Sequence, residues 1–289
     1  MPIQIFRHAH EPEELNELFE ELFNKCDILL IEHATKEHRD RLRDYYNKMS
    51  LGKLSFSHFS SVFSGYDVKL DSFIKNSKKQ IEVEDSPITR KEFEVWSNLS
   101  IVPCYLFCNG KFEEAIENEL AYLLITCELT EKRDNNLTNQ LIYLQKENKE
   151  KTILVPLGAG HTVHEKLKSR GLKVEEYFPY EPYILPLKDE LILKRHNTGL
   201  NITQSTELNI VQSIPEGLFL TYLSEYSRLS YRKRCRISRR IAENLSYEDL
   251  ESLSEYISRS DRKKEEPYIP ALQWLKERKG LDLTQPTNL

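Results

Sequence analysis

The first 31 residues constrain the fold more than any other part of the chain. Residues 2–7 alternate apolar and polar side chains as a short strand does, and 27–31 form an apolar run too short for a helix. Between them, Glu11-Pro12-Glu13-Glu14 is a typical helix opening. Apolar residues then recur at helical spacing (Leu15, Leu18, Phe19, Leu22 and Phe23). A strand–helix–strand unit of this length forms a right-handed crossover with parallel strands. This predicts an α/β protein.

A second unit of the same kind lies further along. A strand at 152–157 leads through a glycine-containing turn into a helix that ends at Arg170, and a strand at 172–178 follows. Together the two units predict an α/β fold with a mixed, mostly parallel sheet flanked by helices.

The remaining segments are assigned by periodicity. From about residue 181 helical patterns dominate, so we expect an α/β core at 1–180 and a mainly helical C-terminal region at 181–289. Within the core, 101–107 is predicted to be a strand, and 50–85 an irregular or short-helical insertion. The predicted core helices are 35–48, 88–99, 111–127 and 130–148, and the C-terminal ones are 185–196, 215–229, 230–244, 246–258 and 269–279.

Composition limits the class of protein. The 289 residues carry a net charge of -5, which gives no general reason to expect nucleic acid as a partner. Five cysteines at scattered spacings favour reduced thiols over a disulfide framework.

No signal peptide or membrane-spanning stretch is evident, so we expect a cytoplasmic protein without a membrane partner. The C-terminal amphipathic helices offer apolar surface for a homo-oligomer.

Polar residues cluster where the predicted parallel strands end. His8, His10 and Glu32 follow the first two strands, and His161 follows the strand at 152–157. The carboxyl ends of parallel strands form the functional edge of such sheets. Gly158 and Gly160 let the chain turn sharply beside His161 and approach a ligand closely. Two imidazoles and a carboxylate suit a divalent metal such as Mn, Co or Zn, so His10, Glu32 and His161 are candidate metal ligands.

The ordered set of motifs resembles a known family. Arg7-His8-Ala9-His10, a helix, and Ile-Leu-Leu-Ile-Glu32 resemble the opening of the TraB, Tiki and ChaN-like proteins, which are similar to erythromycin esterases. Glu131-Lys132-Arg133-Asp134-Asn-Asn-Leu137 resembles their Glu-Arg-Asp helix, and Gly158-Ala-Gly-His161 their second Gly-x-x-His turn. The resemblance covers roughly residues 2–178.

The resemblance implies a hydrolase that acts on a peptide or ester-type substrate, in some relatives with a metal and in others without. It implies that His10, Glu32 and His161 hold the metal or activate water, with Arg133 and Asp134 supporting them. Without a metal, Glu32 and one histidine would act as general base. Arg7, His8, Gly158 and Gly160 are then expected on the substrate side.

Two other interpretations stay open. Phe6-Arg7-His8-Ala9 also resembles the start of the histidine phosphatases, which would make His8 the nucleophile and Arg7 the phosphate ligand. Alternatively, the protein is a non-catalytic sensor or assembly component. In that case Arg7, which replaces the first glycine of the family motif, would fill the site and pair with Glu32.

A basic stretch at 226–240 holds seven basic residues and no acidic one. It could bind nucleic acid or an acidic partner, but the acidic residues that follow it favour a solvated helix face. Nucleic acid is therefore not an expected partner.

Overall fold

Parallel strands form the centre of the α/β part of the chain. The computed structural model describes residues 2–53, 65–198, 207–260 and 266–283. The strands form one sheet in the order β3-β2-β4-β1-β5, and every neighbouring pair in it is parallel. The predicted α/β class is confirmed, and the sheet is parallel throughout the described residues. The strands are β1 (Ile3–His8), β2 (Ile28–Ile31), β3 (Gln80–Val83), β4 (Ile153–Gly158) and β5 (Val174–Tyr177).

The described helices flank this sheet or form a bundle of their own. They are α1 (Glu17–Lys25), α2 (Arg39–Ser50), α3 (Gly65–Ile74), α4 (Arg90–Leu99), α5 (Val102–Cys108), α6 (Phe112–Glu147), α7 (Val163–Ser169), α8 (Leu187–Thr198), α9 (Glu207–Tyr226), α10 (Tyr231–Glu243), α11 (Tyr247–Ser258) and α12 (Tyr268–Trp274), which continues as a π-helical turn (Leu275–Lys279).

The register aligns the carboxyl end of β1 with that of β4, and the carboxyl end of β2 with that of β3. His8 at the end of β1 is paired with Gly158 at the end of β4. Ile31 at the end of β2 is paired with Val83 at the end of β3, so the residues that follow these two strands also lie side by side. Parallel strands that end together place their following side chains at one edge of the sheet.

Both faces of the sheet are covered, as the apolar strands require. On one face, Phe6 and Leu29 pack with Phe19 of α1. On the other, Ile5 and Val155 pack with Leu141 of α6.

The chain divides into two compact units. The α/β unit contains Met1–Phe93 and Glu128–Tyr183, and the helical unit contains Glu94–Cys127 and Ile184–Leu289. Residues 94–127, which the sequence analysis places in the core, are grouped with the helical unit. This segment joins the helical unit because Phe107, Phe112 and other apolar residues of α5 and α6 are buried against α9 to α12.

The predicted strand at 101–107 is wrong, because this segment is helix α5. Pro103 lies in its first turn, where a missing N–H costs nothing. Tyr105 is 67% exposed, whereas Phe107 and Cys108 are buried, which is the one-sided burial of a short helix on a core.

Two other boundaries are also corrected. The helices predicted at 111–127 and 130–148 are one continuous helix, α6, because no proline or glycine interrupts it. The predicted insertion at 50–85 contains α3 and strand β3, whose Ile81 and Val83 are buried alternately with half-buried neighbours. Residues 54–64 of that insertion lie outside the described residues.

All five cysteines are unpaired, and four of them are buried, in agreement with the expectation of reduced thiols. In the part of the chain that the structure describes, no helix is both long and apolar enough to span a bilayer.

Candidate functional site

Glu32 lies at the centre of the polar cluster at the sheet edge. Its Oε1 accepts hydrogen bonds from Nη2 of Arg133 (2.8 Å) and pairs with Nε2 of His161 (3.2 Å). Its Oε2 accepts the backbone N–H of Gly158 (2.9 Å) and lies 3.5 Å from Nε2 of His10. The structure therefore brings together His10, Glu32 and His161, as the sequence predicts.

These neighbours fix the charge of Glu32. Burial alone would raise the pKa of its carboxyl, but Arg133, His161 and His10 together hold that pKa well below its usual range. Glu32 is thus an anion at every physiological pH. A carboxylate of such low basicity is a weak proton acceptor, and it is better suited to orient and stabilise a neighbouring cation.

His161 is held between two carboxylates. Its Nδ1 is hydrogen-bonded to Oδ1 of Asp134, and its Nε2 faces Glu32. Burial would lower the pKa of His161, but Asp134 and Glu32 raise it to about 9. His161 is therefore an imidazolium at neutral pH, with both ring nitrogens donating.

Asp134 is itself fixed by the turn that carries His161. Its Oδ2 accepts the backbone N–H of Thr162 (2.6 Å) and the hydroxyl of the same residue (2.8 Å). Burial would raise the pKa of Asp134, but His161 and these hydrogen bonds lower it. The hydroxyl of Thr138 donates to the backbone oxygen of Asp134 one helical turn earlier (2.6 Å).

Glu84 is a central residue that the sequence analysis missed. It is fully buried after β3, and its carboxylate binds Arg133 twice, at Nε (3.0 Å) and at Nη2 (2.6 Å). It also accepts the backbone N–H of His33 (3.0 Å). Burial would lower the pKa of Arg133, but Glu84 and Glu32 raise it, so the guanidinium stays charged. The alternation Gln80-Ile-Glu-Val followed by Glu84 was the signal that could have revealed both this strand and its terminal acid.

His10 is the part of the site that faces solvent. Its side chain is 51% exposed, against 14% for Glu32 and 7% for His161. Its backbone is in the left-handed region, with φ 60°, and its N–H donates to Nδ1 of His8 (2.9 Å). A water or a substrate arriving from solvent therefore meets the imidazole of His10 first.

His8 is completely buried beneath His10. The two rings are T-shaped with centroids 4.5 Å apart. Burial, aided by the neighbouring imidazole of His10, lowers the pKa of His8 well below its ordinary value, so this ring is neutral. Because Nδ1 accepts a hydrogen bond, the proton of the neutral ring resides on Nε2.

Arg7 does not enter the site. Its Nε donates to Glu176 (2.6 Å), its Nη1 donates to the backbone oxygen of His161, and its Nη2 lies 3.7 Å from Glu165. Adjacent residues of a strand point to opposite faces, which separates Arg7 from His8. Arg133, rather than Arg7, is the guanidinium that pairs with Glu32.

Gly158 allows the close approach of the three central side chains. A Cβ at this position would lie 3.2 Å from Nε2 of His10, 3.4 Å from Cδ2 of His161 and 3.5 Å from Oε2 of Glu32. Gly160 lies two residues further, in the turn between β4 and α7. The sequence predicts glycine where the chain must come close to other groups, and at Gly158 those groups are the side chains of His10, His161 and Glu32.

The observed donors do not fit a metal held by His10, Glu32 and His161. Among the described residues, no group of three or more His, Cys, Asp or Glu side chains is placed to hold a metal ion. Arg133 and His161 already share the Glu32 carboxylate. A histidine must lose a proton before it can bind a metal, and the raised pKa of His161 opposes that loss. The metal-dependent version remains a prediction of the sequence resemblance.

Comparisons with family models, with curated proteins and with solved structures gave no match for this chain. The likeness to TraB, Tiki and ChaN-like proteins therefore rests on the motifs in the sequence. What the site itself offers is an exposed imidazole beside a buried carboxylate, with two fixed cations behind that carboxylate.

Proposed function

We propose that the protein is a metal-independent hydrolase of ester or peptide bonds, in which His10 is the general base and Glu32 orients it. The observation that carries this proposal is the convergence of His10 and His161 on Glu32 at the carboxyl edge of a parallel sheet. Only His10 of this group is open to solvent.

The roles follow from the charges. Nε2 of His10 faces Glu32, so this nitrogen carries the proton and Nδ1 is the basic nitrogen of the ring, which takes the proton of water in this proposal. As the water attacks the acyl carbonyl, the imidazolium that forms at His10 is stabilised by the Glu32 carboxylate, as the buried acid of a catalytic triad does. The 3.5 Å separation is typical of catalytic contacts that tighten when substrate binds.

Arg133 and His161 are positioning residues in this proposal. Both hydrogen-bond Oε1 of Glu32, while its Oε2 remains directed toward His10. They keep the carboxylate ionised and fixed, so that it cannot take the proton of water itself. Asp134 and Glu84 hold these two cations in turn.

The test is hydrolysis of p-nitrophenyl esters and of fluorogenic peptides, with and without a chelator. We expect activity that survives chelation. His10→Asn should lower kcat/KM by about 10²–10⁴-fold, the usual contribution of a general base. His38→Asn is the matched control, because His38 is an exposed histidine with φ 66° and lies outside the cluster.

Three outcomes would contradict the proposal in different ways. Loss of activity on chelation, restored by Mn²⁺, Co²⁺ or Zn²⁺, would favour the metal-dependent version. Vanadate-sensitive hydrolysis of phosphate esters would favour the phosphatase interpretation. Full activity in His10→Asn would exclude His10 as the base.

A further inference from the structure

The helical unit contains a cavity of about 860 Å³ that the proposed hydrolase site does not use. It lies among α5, α6, α8, α9 and the start of α12, and every residue that lines it belongs to this unit. Its volume is within the range of about 300–1,000 Å³ that is usual for small-molecule sites. We call it the helical-unit cavity.

A buried carboxylate lines this cavity. Glu119 is 1% exposed, and its Oε1 takes both the hydroxyl of Ser213 (2.9 Å) and Nζ of Lys188 (3.1 Å). Both of these contacts are made through Oε1. A charge-assisted hydrogen bond from a ligand to Oε2 would stabilise this carboxylate further.

The charges around the cavity favour a cationic ligand. Glu225 and Glu266 line it as well and are exposed. The described lining thus holds three carboxylates and one ammonium group, that of Lys188. A cleft with an excess of one sign of charge concentrates ligands of the opposite sign.

The remaining lining suits a hydrocarbon body. Ile101 is 67% exposed, and Ile214 and Leu218 supply further apolar surface. Tyr226 and Tyr268 lie beside each other with ring centroids 5.3 Å apart and their hydroxyls hydrogen-bonded. Tyrosine rings attract alkylammonium groups by their electron-rich faces.

We propose that the helical-unit cavity binds a small organic amine, whose ammonium group donates to Oε2 of Glu119 and whose hydrocarbon part lies against Ile214, Leu218 and the two tyrosines. This site is separate from the Glu32 cluster and does not depend on the hydrolase proposal.

Calorimetric titration of the full chain with three ligands of equal chain length tests the charge requirement. The ligands are hexylamine, hexan-1-ol and hexanoate. We expect hexylamine to bind at least about tenfold more tightly than the alcohol, and hexanoate not to bind. Equal binding of the amine and the alcohol, preferred binding of hexanoate, or no binding of the amine at millimolar concentration would each overturn the proposal.

Two variants locate the site. Glu119→Gln keeps the shape of the side chain and removes its charge, so the affinity for hexylamine should fall about tenfold or more. Gly217→Leu fills the cavity instead, because Gly217 lines it and a Cβ there meets no atom within 4 Å. Binding of hexylamine should then be lost, while Gly217→Ala, a matched smaller change, should retain it.

The second variant keeps the test decisive if Glu119→Gln unfolds. Gly217 lies inside α9 without a positive φ, so leucine there should favour the helix. Retained hexylamine binding in folded Gly217→Leu would place the amine elsewhere and refute the assignment.

Labelling of Cys104 by a thiol reagent gives an independent readout, since Cys104 lines the cavity and the other four cysteines are buried. Hexylamine should slow this labelling and hexan-1-ol should not. Equal rates with and without the amine would count against occupancy of the cavity.

Discussion

The sheet-edge cluster of the α/β unit and the helical-unit cavity differ in how their buried carboxylates are bound. At the sheet edge, the carboxylates of Glu32, Glu84 and Asp134 are each bound on both oxygens by side chains or backbone. In the helical unit, Glu119 is equally buried but uses only one oxygen among the described residues. A fully bonded network fixes a geometry, whereas a carboxylate bonded through one oxygen beside a cavity leaves room for a ligand.

The largest expected effect comes from removing a charge at the sheet edge. Glu84→Ala leaves the guanidinium of Arg133 with one carboxylate instead of two, in a buried place. We expect a loss of about 3–5 kcal/mol in the free energy of unfolding, measured by urea denaturation with circular dichroism.

Glu216→Ala in the helical unit is the matched comparison. Glu216 is also buried, also accepts a backbone N–H, and pairs with Arg239, but Arg239 keeps Glu190 and Glu243 as partners. The loss should be smaller and should appear in tryptophan fluorescence, because Trp96 and Trp274 both belong to the helical unit. Equal losses in the two variants would show that the number of carboxylates left to the arginine does not set the cost.

The second prediction concerns pH. The pKa of His161 rises from 6.5 to about 9 on folding, so the folded protein holds a proton that the unfolded chain releases over this range. The stabilisation is complete below about pH 6.5 and is lost as the pH rises through about 9. It amounts to up to about 3 kcal/mol.

Urea midpoints followed by circular dichroism between pH 6 and pH 10 measure this loss. His161→Gln removes the titrating group and should flatten the profile over that range. An unchanged slope in the variant would show that another group is responsible.

The third prediction uses Gly158. Its Cβ would press on His10, His161 and Glu32 at 3.2 to 3.5 Å, so Gly158→Ala should shift these side chains by a few tenths of an ångström. Under the hydrolase proposal, kcat/KM for ester hydrolysis should fall about 10- to 100-fold, since small misplacements of catalytic groups are costly. Unaltered kinetics would mean that the spacing of these three groups does not matter for the reaction.

The smallest effect is expected at Gly217. Alanine meets open space there and removes the helix-weakening effect of glycine, so Gly217→Ala should stabilise the helical unit by about 0.5–1 kcal/mol. The midpoint of thermal unfolding followed by tryptophan fluorescence measures this gain. Destabilisation instead would mean that the helix needs the smaller residue at this position.

Local pattern predicted the parts of the fold whose neighbours are close in sequence. Strand β2 and the strand before His161 were found because the burial of both faces forces continuous apolar runs. Strand β1 was found by its alternating pattern and α1 by its helical spacing. Strand β3 was not predicted from the sequence, because only two of its four residues, Ile81 and Val83, are fully buried and the apolar run is short. Glu84 was missed with it, although it closes the ion-pair network of the site.

The helix at 102–108 shows why short apolar segments mislead. Val-Pro-Cys-Tyr-Leu-Phe-Cys has the composition of a buried strand, and periodicity over seven residues does not separate it from a helix. What decided the conformation was the core of the helical unit, which covers Phe107 and Cys108 and leaves Tyr105 exposed.

Sequence pattern alone places His10, Glu32 and His161 at one edge of a parallel sheet, because strand ends follow from local pattern and crossovers have one hand. The residues that surround them are set by tertiary packing. Arg133 of α6 binds Glu32, which lies about 100 residues earlier in the chain, and it also binds Glu84. Asp134 of the same helix binds His161. Charges that depend on such distant neighbours are set by packing, since burial and the identity of the partner together fix each pKa.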